Sequence, residues 1–324
     1  MSKIKLGVIG VGHMGNYHAR ICNMLRDHID FVGVCDIRKK RADFIADKYN
    51  TTAYYDYKKL LKKVDAVNIA VSTDEHFRVA KGCLNAGVDI LLEKPMTDNL
   101  NEAKKLIEIA KRKNLSFHVG HVERFNSAVV ELMKFSHDLK PISLRAKRLG
   151  PQGDKIRHSG VILDLMIHDI DIMLNIMESK VVDISAYGKK VYTDYEDIAN
   201  VQLLFENGSF ATVSASRITQ KKIRTLDLTM PDKYIYLDYS DEDIYIYRRG
   251  KSKDSDDSKI RKVIDTNVEK ILIEKNNPLK LEIKHFINAV KGKEKSQFTP
   301  EQNLKSLEIV LNAERKAKKY WDQT

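Results

Sequence analysis

Cysteine is close to absent from this 324-residue chain, which holds only Cys22, Cys35 and Cys83. Three is an odd number, and their spacings match no metal knuckle. A disulfide framework and a structural zinc site are therefore excluded as organising devices, and no metal is expected. The thiols are expected as small buried hydrophobes in a reducing compartment. No apolar run approaches the roughly 20 residues that cross a bilayer, so no membrane partner is expected. The opening stretch, MSKIKLGVIG, goes straight into an apolar strand pattern and lacks the layout of a secretory leader, which sets the expectation of a cytoplasmic protein. Also missing is any basic stripe interleaved with aromatics. The net charge of +11 is spread along the chain. No nucleic-acid partner is expected, and the surplus leans towards a small anionic substrate.

What is present is an ordinary globular composition, 43% apolar and 31% charged, in a chain long enough for two domains. The first third alternates short apolar runs (IKLGVIG, FVGVCD, DAVNIAV, VDILLE, LSFHVG) with amphipathic stretches at 14–26, 38–48, 75–85 and 99–112. Apolar, non-alternating strands separated by helices predict a parallel sheet covered on both faces. After about Gly120 the pattern changes. Helical ERFNSAVVELMKF leads to strand-like ISLRAKRLG, then to the apolar helix VILDLMIHDIDIMLNIM, then to alternating segments from residue 182 to 250 with ENGS as a hairpin turn. The run 251–262, KSKDSDDSKIRK, predicts an exposed loop, and helical stretches at 279–290 and 300–319 close the chain. The expectation is a dinucleotide-binding α/β domain over 1–120. A substrate-binding and oligomerisation domain over 121–324 follows, α+β, with a large, mostly antiparallel open sheet.

Gly10-Val11-Gly12-His13-Met14-Gly15 is a GxGxxG between a strand and a helix. The first glycine allows the tight turn, the second lets backbone approach a pyrophosphate, and the third lets helix and strand pack closely. The helix N-terminus offers unsatisfied N–H groups to the phosphates. Asp36 ends the next strand, about 20 residues on, where a carboxylate meets the adenine ribose hydroxyls. It favours NAD over NADP by repelling a 2′-phosphate, although Arg38 and Arg41 close behind soften that preference. A plain β-turn-α with a surface aspartate is the alternative.

LLEKPMT, 91–97, ends an apolar strand on an acid, a base and a proline. Ligands bind at the carboxyl ends of strands in such sheets. Lys94 there can donate to a substrate oxygen, Glu93 can pair with it or orient the cofactor, and Pro95 stiffens the turn. Downstream, Asp164 and His168 are four apart in a helical pattern and so share a face. A histidine oriented by a carboxylate is a proton acceptor near neutral pH, and Asp169 and Asp171 extend the acidic cluster. A loop-tip lysine and a core histidine satisfied by an aspartate are the structural alternatives.

GVIGVGHMGNYHA, EKP, GHVERF and DLMIHDID together resemble the Gfo/Idh/MocA oxidoreductases, and the likeness runs on to NPLKLEIKHFINAVKG near the C-terminus. The resemblance implies a Rossmann domain followed by a domain with a large open sheet. It also implies an NAD-dependent dehydrogenase acting on CH–OH groups, with Lys94, Asp164 and His168 catalytic. AVSTDEHF is similar to the family's cofactor-contacting segment, with Ser72 where proline is usual. The cofactor set is then Gly10, Gly12, His13, Met14, Gly15, Asp36, Arg38, Ser72, Thr73, His76, Glu93 and Lys94. His121, Arg124, Arg148 and Arg157 are candidate substrate contacts. VGHVERFNSAV and DLMIHDIDI resemble the bacterial branch that oxidises the 3-hydroxyl of UDP-N-acetylglucosamine. That branch feeds a 3-amino sugar, made with an aminotransferase, to lipid A-type synthesis. A free sugar or inositol is the alternative substrate, and a non-catalytic NAD-binding sensor the alternative of another class. A homodimer or homotetramer through the open sheet is expected.

Overall fold

A computed structural model of the chain describes residues 3–151, 159–249, 266–292, 298–319 and 321. Contacts divide it into two compact units. One comprises Met1–Phe125 with Asn277–Glu308, the other Asn126–Asn276 with Ile309–Thr324. The sequence places one boundary after residue 120; the segment Asn277–Glu308 folds back onto the first unit instead. Its helix α8 (Pro278–Val290) carries Ile283, Phe286 and Ile287, which are buried in one cluster with Leu6, Val8, Ile21, Phe31 and Leu91.

The first unit holds six parallel strands: β1 (Ile4–Ile9), β2 (Ile29–Cys35), β3 (Thr52–Tyr54), β4 (Ala66–Ile69), β5 (Asp89–Glu93) and β6 (Phe117–Gly120). Their order is 3-2-1-4-5-6, that of a doubly wound dinucleotide-binding sheet. The helices between them are α1 (His13–Met24), α2 (Lys39–Lys48), α3 (Tyr57–Leu61), α4 (Thr73–Asn85) and α5 (Leu100–Arg112). Helix α5 starts where the Asn99 side chain accepts from the Asn101 and Glu102 amides, and it ends on Lys111 and Arg112, which suit the negative end of its dipole. β3 and α3 escape the sequence reading, being three and five residues long and so too short for a period to show. Register sets the site: Cys35 pairs Ile9, Ile9 pairs Ile69, and Ile69 pairs Leu92. The chain therefore leaves the sheet after β2, β1, β4 and β5 along one carboxyl edge, bringing out Asp36, Gly10, the Ser72 turn and Lys94 there.

The second unit is built on an eight-stranded sheet of order 14-13-12-11-7-10-9-8. Its strands are β7 (Ser143–Leu149), β8 (Val181–Lys189), β9 (Ile198–Phe205), β10 (Phe210–Ser216), β11 (Ile223–Thr229), β12 (Lys233–Asp238), β13 (Asp243–Arg249) and β14 (Thr266–Ile271). Only β7 and β10 run parallel; the remaining neighbours are antiparallel. β9 alternates buried and outward residues along its length, burying Ala199, Val201, Leu203 and Phe205. The ENGS turn joins β9 to β10, with Gly208 at φ +82°, a conformation that favours glycine. Helix α7 (Ile167–Met177) packs on β10, and α6 (Ser127–Lys134) on β13. β14 escapes the sequence reading because TNVEKI is an edge strand with Asn267, Val268, Glu269 and Lys270 all exposed. Residues 251–262, read from the sequence as a loop, lie outside the described residues. Helix α9 (Pro300–Lys318) closes the chain.

Candidate functional site

The glycine loop is built for close approach. Gly10 sits at φ +81°, and a Cβ there would lie 2.7 Å from the Ala70 carbonyl oxygen. A Cβ at Gly15 would lie 1.7 Å from the Gly10 oxygen, so only glycine lets α1 seat on the loop. Gly12 is different. Its Cβ position meets only Arg41 Nη1, at 3.6 Å, so this face of the loop is open to a ligand. Gly12 is also the N-cap of α1, with no side-chain cap and no acid in the first turn, which leaves the helix's positive end for an anion. His13 and Met14 are exposed on that turn, with the His13 ring edge-on to Tyr17 at 4.9 Å. Asp36 is buried beside the loop: it accepts from Val11 N (3.1 Å) and Arg38 N (2.8 Å), and Arg41 lies 3.7 Å away. Two amides thus fix the carboxylate, while Arg38 projects into solvent. This cradle, with its open glycine, bare helix end and oriented carboxylate, fits a dinucleotide, and Gly10, Gly12, Gly15 and Asp36 are the residues that could hold it.

Two loops along the same edge carry the remaining cofactor candidates. Ser72 is exposed at the N-cap of α4, and Thr73 is half-buried. His76 is turned inward. It is buried, with Nδ1 2.8 Å from the Pro95 carbonyl and Nε2 3.2 Å from that of Val71, so it braces backbone and is not open to a ligand. Burial lowers its pKa against the opposing pull of those carbonyls and of Glu93. Glu93 is buried too, and its partner is His18, Nε2 to Oε1 at 2.7 Å. Burial alone would raise the Glu93 pKa, but the His18 bond and the charges of His18, Lys94 and His76 hold it below the ordinary value. Lys94 follows and is half-buried at the strand tip, before a cis bond to Pro95.

In the second unit, Asp164 and His168 straddle a junction. Ile162–Met166 form a π-helical turn, and α7 begins at Ile167. The sequence reads one α-helix through both. A π turn holds an extra residue, and such turns are frequent at functional sites. Glu196 secures it: its Oε1 accepts from Ile162 N (3.1 Å), and its backbone oxygen accepts from Val161 N (3.0 Å). Gly160 makes room, since a Cβ there would lie 1.9 Å from Glu196 Oε1. Asp164 is half-buried and His168 buried.

The structure turns two substrate candidates inward. Arg124 is buried, donating to Asn303 Oδ1 (2.7 Å) and lying over the Phe298 ring at 4.5 Å. Arg148 is buried in a two-point bridge to Asp169, at 2.8 and 2.9 Å, which removes Asp169 from the acidic cluster as well. Both guanidiniums are held by protein partners because their strand and turn positions face the interior. His121 is buried, and Arg157 lies outside the described residues. Sequence reasoning missed His18 and Glu282. His18 stands within the quoted GVIGVGHMGNYHA, but its partner is 75 residues away. Glu282 is 3% exposed on α8, and neither of its carboxylate oxygens has a hydrogen-bond partner among the described residues. Burial, and then the Glu93 charge, push its pKa well above the usual carboxylate range, with Arg124 offsetting part of the rise. An unbroken amphipathic helix gives no local hint of either residue's role.

Comparison with known proteins agrees with this geometry. Residues 4–121 match the Gfo/Idh/MocA oxidoreductase family, NAD-binding Rossmann fold, and residues 135–230 match the Gfo/Idh/MocA C-terminal domain. The chain is 33% identical to the UDP-N-acetylglucosamine 3-dehydrogenase of Acidithiobacillus ferrooxidans over 90% of each chain. A solved structure of that enzyme superposes with a TM-score of 0.89 over 99% of both chains at 30% identity. The myo-inositol 2-dehydrogenase of Thermotoga maritima is 31% identical over 66% of this chain and 69% of its own. With the glycine cradle, the oriented Asp36 and both domains matched, the chain belongs to the Gfo/Idh/MocA family of NAD-dependent oxidoreductases.

Proposed function

We propose that the protein oxidises the 3-hydroxyl of UDP-N-acetylglucosamine to the 3-keto sugar. The observation that carries this reading is the near full-length match to an enzyme of that name. When bound, NAD supplies the hydride acceptor. Gly10, Gly12, Gly15 and Asp36 hold the dinucleotide, with Ser72, Thr73 and Glu93 along the same strand edge. His168 takes the hydroxyl proton, Asp164 orients its imidazole, and Lys94 donates to the reacting oxygen. The reading requires Lys94, Asp164 and His168 for turnover. The four basic candidates, His121, Arg124, Arg148 and Arg157, stay proposals as substrate contacts. The product would pass to an aminotransferase for a 3-amino sugar of the lipid A type, in the cytoplasm. The outward face of the eight-stranded sheet, with exposed Tyr187, Leu204, Phe210 and Val268, is the surface for a homodimer or homotetramer.

A second reading, oxidation of a free sugar or inositol, is favoured by the myo-inositol relative. The test is cofactor reduction with NAD and three substrates: UDP-N-acetylglucosamine, free N-acetylglucosamine and myo-inositol. An added aminotransferase draws off the ketone. Turnover only with the UDP-sugar is expected. Comparable turnover with the free sugar or with myo-inositol moves the assignment to the second reading, and NAD binding without turnover on any of them leaves a non-catalytic sensor. In the same assay, Lys94→Met should lower turnover by about 10²-fold or more, the loss that follows removal of a positioned proton-transfer or oxyanion-stabilising group.

A further inference from the structure

Lys94 is flanked by two buried histidines that reach it from different helices, each through one neighbour. On its N-terminal side stands Glu93, whose Oε1 lies 2.7 Å from His18 Nε2. His18 has no solvent exposure and sits on α1, whose first turn is the glycine cradle. On its C-terminal side stands Pro95, whose carbonyl lies 2.8 Å from His76 Nδ1 on α4. The room for this arrangement is provided across the sheet. Glu93 pairs in register with Gly120 of β6, where a Cβ would lie 3.3 Å from Glu93 Cα and 3.4 Å from its carboxylate.

We propose that His18 and His76 are positioning residues that hold Lys94 from its two sides, His18 through the Glu93 carboxylate and His76 through the Pro95 carbonyl. The proposal rests on the reading that Lys94 serves the reaction, and it adds two residues that do not touch the reacting atoms. The physical case is one of degrees of freedom. A lysine at a strand tip has four rotatable bonds and a backbone that is free to swing once the ladder ends. Anchoring the preceding side chain and the following carbonyl on two separate helices removes the backbone part of that freedom. Positioned groups contribute to catalysis only when their supports are themselves fixed. The same anchors connect Lys94 to the cofactor: α1 begins at the phosphate cradle, so the His18–Glu93 bond fixes the distance between that cradle and the strand tip. The ionic setting is consistent. Glu93 keeps its charge despite burial, chiefly because of His18. Burial lowers the His76 pKa, and of the two carbonyls that its ring nitrogens meet the Pro95 oxygen is the nearer.

The experiment compares pairs of variants in the full chain. Gln places a donor where His Nε2 stands, and Asn one where Nδ1 stands. His18→Gln and His76→Asn should therefore keep the contacts that His18→Leu and His76→Leu lose. His18→Leu leaves a buried carboxylate unpaired, so His18→Leu/Glu93→Gln is included as a neutral version that removes the charge with its partner. Turnover with NAD and UDP-N-acetylglucosamine, NAD affinity, and the thermal midpoint are measured on all, beside Lys94→Met. The expected result is a roughly 10-fold or greater fall in kcat for the Leu variants with NAD affinity within about 3-fold, and recovery of most of kcat in His18→Gln and His76→Asn. A second readout needs no substrate: reductive ¹³C-methylation of lysines, with the Lys94 signal identified by its absence in Lys94→Met. That signal should hold its position in the conservative variants and shift or broaden in the Leu variants. Folded Leu variants with parental kcat and an unmoved Lys94 signal overturn the proposal. If Lys94→Met itself turns over at the parental rate, the catalytic reading of Lys94 fails instead, and the methyl signal still reports whether the two histidines hold it.

Discussion

The two units treat buried charge differently. In the second, the buried carboxylates of Asp169 and Asp197 are each bonded at several points, although Glu196 keeps one oxygen without a hydrogen-bond partner among the described residues. Arg148 and Asp169 meet at two points, and Asp197 accepts from the amides of Val191, Tyr192 and Thr193 and from the Thr193 hydroxyl. Those bonds bring the Asp197 pKa below its ordinary value although burial works against them. In the first unit, Glu93 meets His18 through one carboxylate oxygen, and Glu282 has neither oxygen bonded among the described residues. A matched buried pair supports architecture, because any change in ionisation breaks several bonds at once. A sparsely matched cluster has a protonation state that small changes move, and such clusters gather at functional sites. The second unit's charges hold a sheet and its helix in place. In the first unit, Glu93 directly precedes Lys94.

The contrast can be broken most forcefully at Arg148. Removing one member of a matched buried pair strands the other, at a cost of about 3–5 kcal/mol. Arg148→Met should lower stability by that amount in denaturant titrations, while Arg148→Met/Asp169→Leu recovers much of it. A small loss in the single variant would mean that the bridge is wet and the contrast overstated.

A smaller effect is expected at Asp36, where architecture and binding share one carboxylate. Asp36→Ala removes the brace on the Val11 and Arg38 amides and frees Arg41. NAD affinity should fall by about 10-fold, the worth of a charge-assisted hydrogen bond, and NADP affinity by much less. Equal losses in titrations of the two cofactors would show that the carboxylate only braces the loop.

The mildest effect, and the one that sharpens the contrast, concerns Glu282. Its folded pKa stands above its unfolded value, so the folded state binds the proton more tightly. Stability from this group is therefore complete below the unfolded carboxylate pKa and is lost as pH rises towards the folded one. Glu282→Gln is neutral at every pH and lacks that decline. Thermal midpoints measured across pH should show the variant gaining on the parent as pH increases. His118, lowered to about 4 by burial and by the nearby His285 and Arg124 charges, acts in the opposite direction, destabilising the fold as pH falls below the ordinary histidine range. Parallel pH curves for Glu282→Gln and the parent would mean that Glu282 reaches solvent or a partner.

Much of this molecule is legible without coordinates, and the legible parts share a cause. The GxGxxG and Asp36 spacing, the apolar strands of the first unit, the alternation of β9 and the ENGS turn are all set by chain geometry over a few residues, so they repeat in the sequence with periods of two and 3.6 or at fixed offsets. Lys94 is legible for a similar reason, because a charged pair and a proline stop an apolar strand. What only the tertiary structure decided concerns partners far apart in sequence. His18 meets Glu93 across 75 residues, and Arg124 meets Asn303 across 179. Residues 277–308 return to the first unit because α8 carries an apolar face that completes a core begun at Ile4. The π turn at Asp164 depends on Glu196, whose carboxylate occupies the space that Gly160 leaves. Local pattern specifies which face of an element is buried. Which residue waits on the other side depends on strand register and helix packing, and no short window of sequence contains either.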